Sequence, residues 1–155
     1  MRVADLMTRE VRTVGPEDPF DEVFLLVVFD KIRHVPVVEK GRVVGIVSDR
    51  DLAKVLGPVS KRRSSVVREG KVVLVLPSRR VRHIMSRGVV TIEPDAEVAT
   101  AARMMVERKI GGLPVVDRDQ GLVGIITATD ILAAFIDLSA SVAGGDGAPP
   151  RTASG

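Results

Sequence analysis

The sequence predicts an α+β protein built from two tandem β-α-β-β-α repeats. Three observations carry that expectation. Residues 3–56 return as residues 81–135, at an offset of 78 that becomes 79 after a one-residue insertion near Gln120. Over 3–38, 12 of 36 positions are identical between the copies, too many and too evenly spread for chance in a valine-rich chain. Within each copy, short β-branched runs alternate with a helix-length segment, and Gly or Pro marks the joins.

Each copy opens with a short helix or turn that ends at Met7 or Met85. A short extended piece follows, residues 11–14 or 89–92, stopped by Gly15-Pro16 or Glu93-Pro94. Next comes a helix of about 15 residues. In the first copy it starts near Asp18-Pro19, a cap followed by proline at the first helical position. In the second it starts near Asp95. Residues 35–38 and 113–116 are strands, and turns containing Gly41 or Gly121 lead into partner strands at 43–47 and 122–126. A last helix opens at Asp49-Arg50-Asp51 or at Thr129-Asp130. The domain reading is therefore repeat 1 over 1–56, a linker over 57–80, repeat 2 over 81–138 and a tail over 139–155. Residues 72–76 have a strand-like composition, to be met as an edge strand or packed on the core. The tail is rich in Gly, Ala, Ser and Pro and is expected to lack fixed structure.

Composition removes several function classes. Cysteine is absent and only His34 and His83 are present, which argues against a thiolate or histidine metal centre and a cysteine nucleophile. Aromatic residues are 3%, with no Trp and no Tyr, so aromatic stacking platforms for single-stranded nucleic acid are not expected. The longest fully apolar run, residues 23–29, is too short to span a bilayer, and no secretory signal is visible at the start. A cytoplasmic protein without membrane attachment is expected. No Gly-x-Ser-x-Gly elbow, phosphate loop or dinucleotide fingerprint occurs, so the chain is read as not an enzyme.

One stretch carries chemistry. Gly45-Ile46-Val47-Ser48-Asp49-Arg50-Asp51 recurs as Gly124-Ile125-Ile126-Thr127-Ala128-Thr129-Asp130. A strand leading to a hydroxyl and then a carboxylate suits a nucleoside, because the carboxylate accepts from two ribose hydroxyls. The hydroxyl and the N–H groups of a helix start suit phosphate. The competing reading is that Ser48 and Thr127 are plain helix caps, with Asp51 and Asp130 favoured by the helix dipole.

The repeated marks Asp5-Leu6-Met7-Thr8, Arg33-His34-Val35-Pro36-Val37-Val38 and residues 45–51, with their partners in the second copy, resemble the CBS domain. The pair resembles a Bateman module, two CBS repeats packed about a pseudo-two-fold axis, and covers roughly residues 1–138. A single repeat is too small to bury its own sheet, so pairing is physically expected as well. The resemblance implies that Asp51 and Asp130 hold ribose, with Ser48 and Thr127 near phosphate. It implies that the backbone of Thr13-Val14 and Thr91-Ile92 lines the base pocket. Residues just before the strand proline, Arg33 and His34 in the first copy, supply adenine contacts and phosphate-binding charge. No permanently bound cofactor is implied. The implied ligand is an adenosine-containing small molecule, such as AMP, ADP or ATP, expected to regulate an unidentified protein in trans, with no fused effector domain expected in this chain.

The copies differ in three ways. Arg33, His34 and Arg50 stand where the second copy has Gly111, Gly112 and Thr129. The Asp130 site, which meets those cations across the seam, is therefore expected to bind a phosphorylated ligand more tightly than the Asp51 site. Leu25 and Phe29 stand where the second copy has Arg103 and Glu107, so the first long helix has a second apolar face. By resemblance this face meets a second subunit in a homodimer; the alternative is cover by the linker. The linker itself is basic, with eight Lys and Arg against one acid over 58–82, a local +7 in a chain of net +3. That leaves open two further readings, nucleic-acid association through the linker and a purely structural dimerisation module.

Overall fold

The computed structural model describes residues 1–57, 65–74 and 76–144. α1 (Val3–Leu6) is followed by α2 (Phe20–Val28), the antiparallel hairpin of β1 (His34–Glu39) and β2 (Arg42–Ser48), and α3 (Asp49–Leu56). In the linker, β3 (Ser65–Arg68) pairs with β4 (Lys71–Leu74). A 3-10 turn at Val81–His83 then takes the place of α1. After it, α4 (Val98–Arg108), β5 (Gly112–Val116), β6 (Leu122–Thr127) and α5 (Ala128–Ala143) repeat the first half. Two tandem repeats of one α-β-β-α pattern are thus the architecture.

The turns follow from residue type. Lys40 and Gly41, at φ 51° and 78°, make the tight two-residue connection between β1 and β2. Glu69 and Gly70 do the same between β3 and β4, at φ 50° and 74°. The insertion near Gln120 lengthens the third hairpin's turn, which Asp117 Oδ1 closes by accepting from the N–H groups of Asp119 and Gly121, both at 2.9 Å.

Several expected boundaries move. The leading extended piece of each repeat shrinks to one parallel bridge, Val14 to Val37 and Ile92 to Val115. Pro16 and Pro94 follow within two residues and have no N–H to continue a ladder. The long helices have 9 and 11 residues rather than about fifteen. Lys31 and Lys109, both at φ 55°, turn the chain out of helix at matching places. Asp18 caps a turn, not α2: its Oδ2 accepts from Gly15 N at 2.6 Å, and Pro19 becomes the N-cap. The tail expected to be unstructured from Ser139 begins instead as the last turns of α5, which runs to Ala143. Residues 145–155, and the linker basic residues Lys61, Arg62 and Arg63, lie outside the described residues.

The core shows how the halves are joined. One cluster gathers Phe20, Val23, Val35, Val37 and Val47 of repeat 1 with Val81 and Ile84. The other gathers Ile92, Ala101, Leu113, Val115 and Ile126 of repeat 2 with Val3 and Met7. Each leading segment therefore packs on the opposite repeat. The backbone repeats the exchange bond for bond. Val3 N donates to Ala96 O at 2.8 Å and Val81 N to Asp18 O at 2.9 Å. Thr8 and Ile125 exchange two bonds, as do Ser86 and Ile46. This is the pseudo-two-fold axis seen at the level of single bonds, and it makes either repeat incomplete without the other's first residues.

The exchange also explains two glycines. A Cβ on Gly45 would sit 2.5 Å from Met85 Sδ, and one on Gly124 would sit 2.6 Å from Met7 Sδ and 3.0 Å from Thr8 O. Each methionine of a leading segment lies directly on the glycine backbone of the other repeat's second strand.

Candidate functional site

Both Ser/Thr-x-x-Asp steps sit at a strand-to-helix junction, and both are full capping boxes. At the start of α3, Asp51 Oδ2 accepts from Ser48 N at 2.8 Å and from Ser48 Oγ at 3.1 Å, while Asp51 N donates back to Ser48 Oγ at 3.3 Å. At the start of α5, Asp130 Oδ2 accepts from Thr127 N at 2.7 Å and Thr127 Oγ1 at 2.8 Å, and Asp130 N returns a bond to Thr127 Oγ1 at 3.3 Å. The cap reading is therefore correct, yet it uses one carboxylate oxygen only. Asp51 Oδ1 accepts from Ser86 Oγ at 3.4 Å, a long bond from the other repeat's leading segment. Asp130 Oδ1 has no partner among the described residues.

A cleft of about 860 Å³ runs along the seam between the repeats. Ser48, Asp51, Thr127 and Asp130 line it, together with Arg33, His34 and Arg50. Both acids are half-buried there. Seven of the eleven residues singled out from the sequence thus share one cavity. The other four do not. Val14 and Ile92 are buried in the two cores, and their backbone groups are used up in bonds to Pro36, Val38, Pro114 and Val116. Thr13 is exposed and Thr91 half-buried, and neither lines the cleft. The lining lies upstream instead, at Val11 and Arg12 and at Val89 and Val90.

Sequence reasoning also passed over Thr8, Ser86, Lys31 and Lys109, all of which line the cleft. The signal was present, since each pair is separated by the repeat offset of 78. Over the whole cleft the cations are Arg12, Lys31, Arg33, Arg50, Arg87 and Lys109, against Glu10, Asp49, Asp51 and Asp130. Arg12 is partly occupied by Asp30 at 3.6 Å.

His34 sits at the middle of the seam. A Cβ on Gly111 would be 3.0 Å from its Nε2, and one on Gly112 would be 3.1 Å from its Cγ, so the ring lies on repeat 2's glycine pair. Burial holds its pKa below the ordinary imidazole value; Arg33 and Arg50 push the same way, and Asp49 and Asp51 oppose. A second hollow of about 510 Å³ lies between α1 and α5, lined by Met1, Leu6, Ala133, Ala134 and Leu138 among others. Among the described residues no cluster of His, Cys, Asp and Glu is arranged to hold a metal ion, and no helix is long and apolar enough to cross a membrane.

The family model of the CBS domain matches residues 3–58 and 81–137. The uncharacterized protein MJ1225 of Methanocaldococcus jannaschii is 34% identical over 136 residues, 86% of this chain and 46% of that protein. The chain spans less than half the length of the curated relatives it first matches. The crystal structure of MJ1225, described as a putative archaeal homolog of g-AMPK, superposes with a TM-score of 0.70 over 86% of this chain and 47% of that one. The CBS domain pair of protein MJ0100, solved with 5′-methylthioadenosine and S-adenosyl-L-methionine, gives a TM-score of 0.72 at 28% identity, over 89% of this chain and 98% of that one. CBSX2, solved with AMP, gives 0.70 at 30% identity, over 89% and 98%. The two sequence repeats, the exchanged leading segments and the matched residues agree, and the chain belongs to the CBS domain family as a tandem pair.

Proposed function

We propose that this CBS pair is a regulatory module that binds an adenosine-containing ligand at the seam and acts on a separate partner protein. CBS pairs of closely similar shape were solved with AMP, and with S-adenosylmethionine and methylthioadenosine, which supports the ligand class. The single observation that carries the reading is the seam cleft itself. It joins Asp130, whose second oxygen has no described partner, to Arg33, His34 and Arg50 of the other repeat. Asp130 accepts from the ribose hydroxyls, and Thr127 with the repeat 1 cations faces the phosphate. The Asp51 half has Gly111, Gly112 and Thr129 in place of those cations, and Ser86 competes for its carboxylate. The Asp130 half is therefore the tighter one.

The partner's response requires a ligand that prefers one shape of the module over another. A homodimer supplies a second level at which shape can change. Leu25 and Phe29 at α2 are 52% and 69% exposed, and α5 exposes Leu132, Phe135 and Ile136, so apolar area is available for a second copy.

A thermal-shift panel of AMP, ADP, ATP and S-adenosylmethionine tests the reading. A ligand present at a hundred times its Kd stabilises the folded state by about 2.7 kcal/mol, so at least one member is expected to raise the melting temperature clearly. No shift with any of them overturns the proposal. A greater loss of AMP binding on Asp51→Ala than on Asp130→Ala overturns the ordering of the halves.

A further inference from the structure

We infer that His34 is a specificity-determining residue that fills the Asp51 half of the cleft, so that each chain takes one adenosine ligand and not two. The inference rests on the proposed reading of the seam as an adenosine site, and it adds the stoichiometry and the residue that sets it.

The argument begins with the repeat offset. Gly111 and Gly112 are the counterparts of Arg33 and His34. A symmetric pair would place two similar side chains facing each other across the axis. Here one copy has a ring and the other has two residues without side chains. The ring uses that room: Nε2 and Cε1 lie 3.0 and 3.1 Å from where a Gly111 Cβ would be, and Cγ lies 3.1 Å from where a Gly112 Cβ would be. A side chain on either glycine would meet the imidazole at a distance tighter than ordinary van der Waals contact. The glycines are therefore fitted to His34, and the ring takes up the room that side chains at 111 and 112 would otherwise fill.

Other cross-repeat contacts show that this is local. Met85 on Gly45 and Met7 on Gly124 are close mirror images, at 2.5 and 2.6 Å, so the pseudo-symmetry holds deep in the seam. It breaks at the centre of the cleft. A second, independent observation falls on the same side. Ser86 Oγ already donates to Asp51 Oδ1 at 3.4 Å, whereas its counterpart Thr8 makes no side-chain bond to Asp130 among the described residues. Ring and hydroxyl thus both narrow the Asp51 half, while Arg33 and Arg50 line the cleft together with Asp130.

Isothermal titration of the full chain with AMP tests this, with circular dichroism to confirm that each variant is folded. Wild type is expected to bind one AMP per chain, and Asp130→Ala to bind none. His34→Gly is expected to bind two, the Asp130 equivalent being weakened by the lost imidazole donor. Combined with Asp130→Ala, His34→Gly is expected to restore one equivalent. Two equivalents in wild type, one full equivalent surviving in Asp130→Ala, or a single equivalent in folded His34→Gly each overturn the inference while leaving adenosine binding intact. If His34→Gly does not fold, the wild-type stoichiometry and the Asp130→Ala titration still decide. No heat with AMP, ADP, ATP or S-adenosylmethionine overturns both this inference and the reading beneath it.

Discussion

A carboxylate that caps a helix keeps a second oxygen, and at Asp51 and Asp130 that geometry lets one residue serve both fold and site. Thr127→Ala removes two of the bonds in its box and is expected to cost about 1 kcal/mol of stability, read as a fall in denaturation midpoint. An unchanged midpoint contradicts the cap's contribution. The glycines make a sharper case. Gly45→Ala drives a methyl into Met85 and is expected to cost about 1–3 kcal/mol. In a Met85→Ala background the same change should cost clearly less, because the clash is gone, and a double-mutant cycle measures the difference. Strictly additive costs contradict the packing account. At His34 the sign follows from linkage. Burial lowers its pKa, so the unfolded chain takes up a proton first as pH falls. The stability carried by the neutral ring is present above about pH 6.5 and is lost as pH falls through the folded value. The charges facing it are Asp49, Asp51, Arg33 and Arg50, and its ring lies on the glycine pair of the opposite repeat. His34→Gln is expected to lose less melting temperature than wild type between about pH 7 and pH 5; equal losses contradict the assignment. The repeated Ser/Thr-x-x-Asp step was legible because it occurs twice. The role of Gly45 was not, because nothing local to residue 45 points to Met85, forty residues on.

At the scale of elements, most of the secondary structure could be read from periodicity and punctuation: both hairpins of the repeats, their turns and both capped helices. The misses have three causes. Helix ends at Lys31 and Lys109 rest on left-handed backbone at a lysine, which composition does not announce. The leading strands became single bridges because proline cut their ladders. The exchange of α1 and the Val81–His83 turn between repeats is a tertiary choice, invisible to any window of sequence. Two helix faces stay apolar and exposed, one around Leu25 and Phe29 and one around Phe135 and Ile136. If a second copy covers them, Phe29→Arg with Phe135→Arg is expected to shift sedimentation from dimer to monomer without loss of helix content. A wild type that sediments as a monomer at high concentration contradicts the dimer.

At the scale of the molecule, exchange of the leading segments makes the two repeats one cooperative body with a cleft along its axis, and the departures from symmetry in that cleft set what it holds. Of the base-pocket residues read from the sequence, Val14 and Ile92 have backbone groups bonded to the sheets, a pairing that no local window of sequence announces. The acids and cations were placed in one cleft because repeat arithmetic brings matching positions to a shared axis. The central claim is that the seam binds an adenosine ligand with its sugar on Asp130 and its phosphate toward repeat 1. A crystal structure of the chain grown with AMP tests it most directly. The account predicts ribose hydroxyls within hydrogen-bonding distance of Asp130 Oδ1 and the phosphate among Arg33, His34 and Arg50. AMP bound with its sugar on Asp51, or bound away from the seam altogether, contradicts it.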